Sequence, residues 1–249
     1  MRLPALALAA LLPCAAAFAV APEGAAASLT SALPEAAGPA IPAAAQCAGG
    51  LQHDDGTVEN GYSFNSGFGI GDLAHWAERY DPGTGPYRFS QVCVCLTGLG
   101  ATANAPIDIV FFADGAGQPG AEIARIPATA SGIPTYPSTA FFDVPVQVDT
   151  NGPVWVAVNW NVDASPQVFV CADQNGAGSP VPGMTTTDGG AVWEPLTDYW
   201  PDARALFLRA EAAPSVSVLE VPTLGIAGLA ALALGLGALA FFLLRRRTA

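Results

Sequence analysis

From Thr57 onward, short runs of alternating apolar and polar residues are broken by Gly, Pro, Asn and Asp. A period of two puts successive side chains on opposite faces of a strand, so the pattern predicts half-buried β-structure. Ser90, Val92, Val94 and Leu96 fall on one face, and Phe89, Gln91, Cys93 and Cys95 on the other. Ile107, Ile109, Phe111 and Ala113 alternate with Asp108, Val110 and Phe112. Further apolar faces run through Phe142, Val144, Val146 and Val148, through Val154, Val156, Val158 and Trp160, and through Val168, Val170 and Ala172. The last run is ARALFLRA, Ala203–Ala210, and no stretch of comparable length repeats every 3.6 residues. About nine strands at this spacing predict an all-β domain, an antiparallel β-sandwich of jelly-roll type. The stretch DGAGQPG, Asp114–Gly120, reads as a hairpin loop before it reads as a ligand site.

Neither end shares the pattern. Residues 1–19 hold one arginine, an apolar stretch and Ala17-Phe18-Ala19, the features of a signal peptide cut after Ala19. On this reading Cys14 is discarded. Residues 20–45 have no aromatic residue after the leader and repeat Pro, Gly and Ala, which predicts a disordered linker ahead of a domain at 46–214. A spacer at 215–223 leads to an uncharged apolar run of 21 residues, Leu224 to Leu244. As a helix it spans about 31 Å, enough for a bilayer. Arg245, Arg246 and Arg247 in the tail 245–249 put the C-terminus in the cytoplasm and the domain outside.

The tail motif Val221-Pro222-Thr223-Leu224, followed by an apolar helix and an arginine cluster, resembles the bacterial IPTL-CTERM class of sorting signals. The resemblance implies transient residence in the inner membrane and processing by an exosortase-type membrane transpeptidase. Across about Cys47–Glu211, HDDGTVENGYSFN, FSQVCVCLTG, VWVAVNW, FVCADQN and DGGAVWEPL resemble a domain recurring in exported bacterial proteins. That resemblance implies a secreted β-sandwich and no particular activity.

Charge narrows the partners. The segment 46–214 carries 18 acidic residues against 5 arginines, a net of −13. Such a domain repels phosphate backbones, which argues against nucleic-acid binding.

With the leader removed, four cysteines remain: Cys47, Cys93, Cys95 and Cys171. An even count in an exported chain predicts disulfides. Cys93 and Cys95 lie two apart on one strand, near the upper Cα separation for a mutual bond, so each more easily meets a separate partner, Cys47 or Cys171. Which pairs with which stays open. Asp54, Asp55 and Glu59 can offer carboxylates to calcium, although an acidic turn bonded to nearby amides is the simpler reading. Trp193, Tyr199 and Trp200 lie in a stretch bounded by Gly, Pro and Asp and are candidates for an exposed platform that stacks on sugars. No nucleophile motif, HExxH helix or phosphate-cradling glycine loop is present, and no cofactor is indicated. The sequence therefore points to a non-enzymatic structural or adhesive surface protein that contacts a glycan or matrix polymer. A carbohydrate-binding module is the alternative and a secreted hydrolase the third reading.

Overall fold

The computed structural model describes residues 25–29, 47, 50–215, 234 and 236. The signal peptide, most of the 20–45 segment, the Val221–Leu224 motif, the arginine cluster and the 224–244 run apart from Leu234 and Leu236 lie outside them. Among the described residues no helix is long and apolar enough to cross a membrane. The chain divides into two units, Met1–Ser215 and Val216–Ala249, and every strand belongs to the first.

Among the described residues, thirteen strands form two antiparallel sheets. The first sheet holds β1 (Ala26–Ser28), β2 (Asn60–Phe64), β4 (Pro86–Gly98), β7 (Ala140–Asn151), β9 (Val168–Asp173), β12 (Ala205–Leu206) and β13 (Leu208–Pro214). Its path runs β1-β2-β9-β4-β13, with β7 also on β4 and β12 on β9. The second sheet holds β3 (His75–Tyr80), β5 (Thr102–Asp114), β6 (Pro119–Ile133), β8 (Val154–Asn159), β10 (Met184–Thr186) and β11 (Glu194–Pro195), in the order β11-β10-β3-β8-β5-β6. A single helical turn, α1 (Leu196–Tyr199), follows β11 directly.

The predicted apolar faces meet between the sheets. Val92, Val94, Leu96, Val144, Val146, Val148, Val168 and Val170 of the first sheet join Ile107, Ile109, Phe111, Val154, Val156 and Val158 of the second in one buried cluster. The opposite faces of β5 and β8 are covered as well, because Val110, Phe112, Trp155 and Ala157 pack against Met184 and Trp193.

Three expectations are corrected. Phe89 shares the core with Val92 instead of facing away from it, because Ser90 is an extra residue against β13, where Gln91 and Phe89 face the consecutive Glu211 and Ala212; Ser90 is left exposed and the alternation is reset. An extra residue in one strand shifts every later side chain to the other face, and strict period-two reading cannot detect it. The run Ala203–Ala210 is not one strand. Phe207 donates its N–H to Cys171 O (3.0 Å) and accepts from Cys95 N–H (2.9 Å), so β12 and β13 pass between β9 and β4 and part them. The third correction concerns the linker at 20–45: residues 26–28 are a strand paired with β2, flanked by fully buried Ala25 and Leu29. Alanines without a polar partner look like linker in isolation. Beside the open edge of β2 they satisfy its backbone groups at little side-chain entropy cost.

Candidate functional site

The acidic turn divides into two roles. Asp54 turns inward and pairs with Arg209: Arg209 Nε donates to Asp54 Oδ2 at 2.9 Å, and a second, short bond joins Nη2 to Oδ1. The side chains of Arg209 and Asp54 are 4% and 0% exposed, and the guanidinium lies 5.0 Å from the Phe141 ring centre. Asp54 is therefore a structural anion, and its place as a calcium candidate is withdrawn. A buried arginine demands a carboxylate, and Asp54 meets that demand while its Oδ1 also accepts from Gly56 N–H of the local turn at 3.1 Å.

Asp55 and Glu59 instead converge on Asp173 at the end of β9, each offering one oxygen within 4.8 Å of the others. Asp173 was not among the residues the sequence singled out, and its only local signal is the Asp173-Gln174-Asn175-Gly176 turn. That turn is a clasp. Asp173 Oδ1 accepts from the N–H groups of Asn175 (2.9 Å) and Gly176 (2.7 Å), and Oδ2 accepts from Asp55 N–H (3.0 Å). Glu59 Oε2 accepts from Gln174 N–H at 3.1 Å. A Cβ on Gly176 would stand 2.2 Å from Asp173 Oδ2, so only glycine lets the chain pass this close. Three carboxylates suit a hard divalent cation, which prefers six to eight oxygens. Here the protein's own amides already neutralise much of their charge.

The aromatic platform is corrected in part. Trp193 is 9% exposed and packs edge-on against Phe112, with ring centres 5.2 Å apart. Trp200 is 5% exposed, stacks on Tyr62 at 4.6 Å and donates its indole N–H to Ala27 O at 3.0 Å. Apolar surface between polar turns has been drawn onto the flank of the sandwich, which removes both indoles from an open stacking surface. Tyr199 is half-buried against the edge of Phe64, and its hydroxyl bonds Glu194. Tyr199 and Trp200 still line a cleft of about 320 Å³ with Ala27, Leu99, Pro166 and Phe169. Leu99 is 44% exposed at its rim. The cleft is open and small, near the lower limit for ligand pockets.

Two titratable groups are sequestered elsewhere. Glu78 shares the inner face of β3 with Trp76 and Tyr80, and it is fully buried. One of its oxygens accepts from Leu206 N–H at 2.7 Å, and the other has no hydrogen-bond partner among the described residues. Burial pushes its pKa up to about 8. Burial also holds His75 below the usual histidine range. The ring nitrogens of His75 face Leu73 O (3.1 Å) and Arg125 Nη2 (3.3 Å), while His53 Nε2 bonds Arg79 O at 2.8 Å.

The cysteines form two disulfides, Cys47–Cys93 and Cys95–Cys171. Cys93 and Cys95 thus take separate partners, as strand geometry favours. The second bond closes the fork where Phe207 parts β9 from β4, in a buried cluster with Val58 and Phe207. Two buried disulfides mark a domain that matures in an oxidising, extracytoplasmic compartment.

No family model matches the chain, and no curated protein matches it. Among solved structures it is similar to the cysteine protease and lectin-like domains of Cwp84, a surface layer associated protein of Clostridium difficile, at 11% identity and a TM-score of 0.47. The match covers 66% of this chain and 36% of that one, so the chain spans about a third of its neighbour's length. At that level the likeness does not extend to function.

Proposed function

We propose that this protein is an exported structural or adhesive module of the bacterial cell surface or extracellular matrix, a jelly-roll-like sandwich without catalytic activity. The observation that carries the reading is the pair of buried disulfides. They tie the incoming segment at Cys47 and the forked strands β4 and β9 into one body, a device suited to a domain that must persist outside the cell. The acidic surface and the engaged ring nitrogens of both histidines accord with binding or scaffolding more than with acid–base chemistry. Delivery follows from the Val221-Pro222-Thr223-Leu224 signal, with an exosortase-type transpeptidase removing the tail. Intact-mass measurement of host-derived protein, compartment by compartment, tests this. The expected species lacks residues 1–19 and the tail after the motif and is four hydrogens lighter than the reduced chain. Full-length protein with free thiols, held in the cytoplasm, overturns the reading.

The Tyr199–Trp200 cleft favours a second reading, carbohydrate binding. Binding on a glycan array that is lost in Tyr199→Ala while the fold persists would support it in place of the first.

A further inference from the structure

The N-terminal strand is docked as a separable piece. Residues 30–46, 17 in all, separate Leu29 from Cys47. The docking contacts run between residues 25–29 and the sandwich body. Ala26, Ala27 and Ser28 pair with Phe64, Ser63 and Tyr62 on the outer edge of β2. Leu29, fully buried, clusters with Tyr136 and Phe169. It occupies space made by Gly61, where a Cβ would stand 2.6 Å from Leu29 Cδ1. Trp200 holds Ala27 O from the flank. This is strand addition to a sheet edge with one anchoring side chain.

We infer that this strand is exchanged between copies: residues 25–29 of one chain dock on β2 of a second copy, linking molecules head to tail or reciprocally. The contacts are the same in either arrangement, so only the tether's entropy and the local concentration decide between them. A linker of 17 residues that behaves as a flexible chain gives an effective concentration in the millimolar range. Molecules held on a surface or in a matrix approach that density, whereas dilute molecules do not. The tether extends to about 60 Å, further than the roughly 40 Å breadth of a domain this size, so it reaches a neighbour's edge. The docking contacts belong to the fold, while the density that favours exchange rests on the proposed surface or matrix location.

The test uses the full chain, co-produced in its host as two differently tagged forms, one Ala27→Cys and the other Ser63→Cys. Directly opposed residues of an antiparallel pair lie within disulfide reach. Under mild oxidation, peptide mapping should find a 27–63 bond joining the two tags. Its yield should be comparable with that of the internal bond in a chain carrying both substitutions. Deleting residues 31–46 leaves one residue, a reach of about 7 Å, against at least three strand spacings of about 14 Å between β1 and β4. The internal bond should then vanish and the bond between copies rise severalfold. If the full-length tether gives only internal bonds, exchange is overturned, whatever the shortened chain does. A doubly substituted chain with no 27–63 bond overturns it too, since β1 is then not seated on β2. Capture of the Ala27→Cys thiol by a different protein in place of a second copy has the same force. The mapped bond reports seating and not location, so failure here is distinct from failure of the sorting reading.

Discussion

Single side chains in this protein carry electrostatic consequences that can be measured. Glu78 keeps its proton to about pH 8 when folded, against a reference value of 4.5. Between those limits the unfolded chain binds fewer protons than the folded one, so stability falls as pH rises through the window. Below it both states are protonated, and above it the loss is complete. The total is on the order of a few kcal/mol. Denaturant unfolding at pH 5 and pH 8.5 should show wild type losing that much more stability than Glu78→Gln, and parallel curves would refute the assignment. Ion pairs separate by burial. Asp54→Ala removes the carboxylate paired with buried Arg209 and should cost about 3–5 kcal/mol. Asp149→Ala, opposite exposed Arg88, should leave the denaturation midpoint nearly unchanged, because solvent screens that pair.

Elements respond according to how they are tied. The disulfides close separations of 46 and 76 residues, and on chain-entropy grounds each contributes about 4 kcal/mol. A Cys95→Ser, Cys171→Ser pair should lower the denaturation free energy by about that amount and loosen the fork around Phe207 first, as hydrogen exchange at β12 and β13 would reveal. Trp193→Ala and Trp200→Ala should each cost about 3–5 kcal/mol, the usual loss for a buried indole; a loss under about 1 kcal/mol would return either residue to the surface. Gly61→Ala should act more narrowly. It pushes into Leu29 and also stands 3.0 Å from Phe169 Cβ on β9, so amide protection at residues 25–29 should be lost ahead of that of the sandwich body.

At the scale of the whole molecule, the proposed sorting reading makes the apolar run from Leu224 to Leu244 decide whether the domain can leave the membrane. A helix of 21 apolar residues is effectively irreversible in lipid unless it is cut. Proline disfavours helix at the residue before it, so on that reading the Val221-Pro222 step favours an extended motif outside the lipid. A Pro222→Ala, Thr223→Ala double variant should therefore accumulate in the inner membrane with its tail intact, while wild type appears beyond it without the tail. Intact tail on mature wild-type protein would leave a plain anchor in place of a sorting signal.

Period-two alternation determined the sheets. Ile107, Ile109 and Phe111, and likewise Val144, Val146 and Val148, face the core as their spacing requires, because a strand's two faces are a local property of the backbone. Cysteine parity and strand geometry likewise favoured different partners for Cys93 and Cys95, and the structure pairs them so. The partners themselves were decided by strand order. Asp54 and Arg209 lie 155 residues apart, and nothing near Asp54 announces a guanidinium that must be neutralised. Asp173 joins Asp55 and Glu59 only because β9 pairs with β2. The burial of Trp193 and Trp200 follows from folding residues 174–203 against the sandwich, and the strand at 26–28 exists only where β2 presents an open edge. Local spacing sets which way a side chain points. Long-range pairing sets what it meets, and in this protein the candidate site and the disulfide register are all long-range meetings.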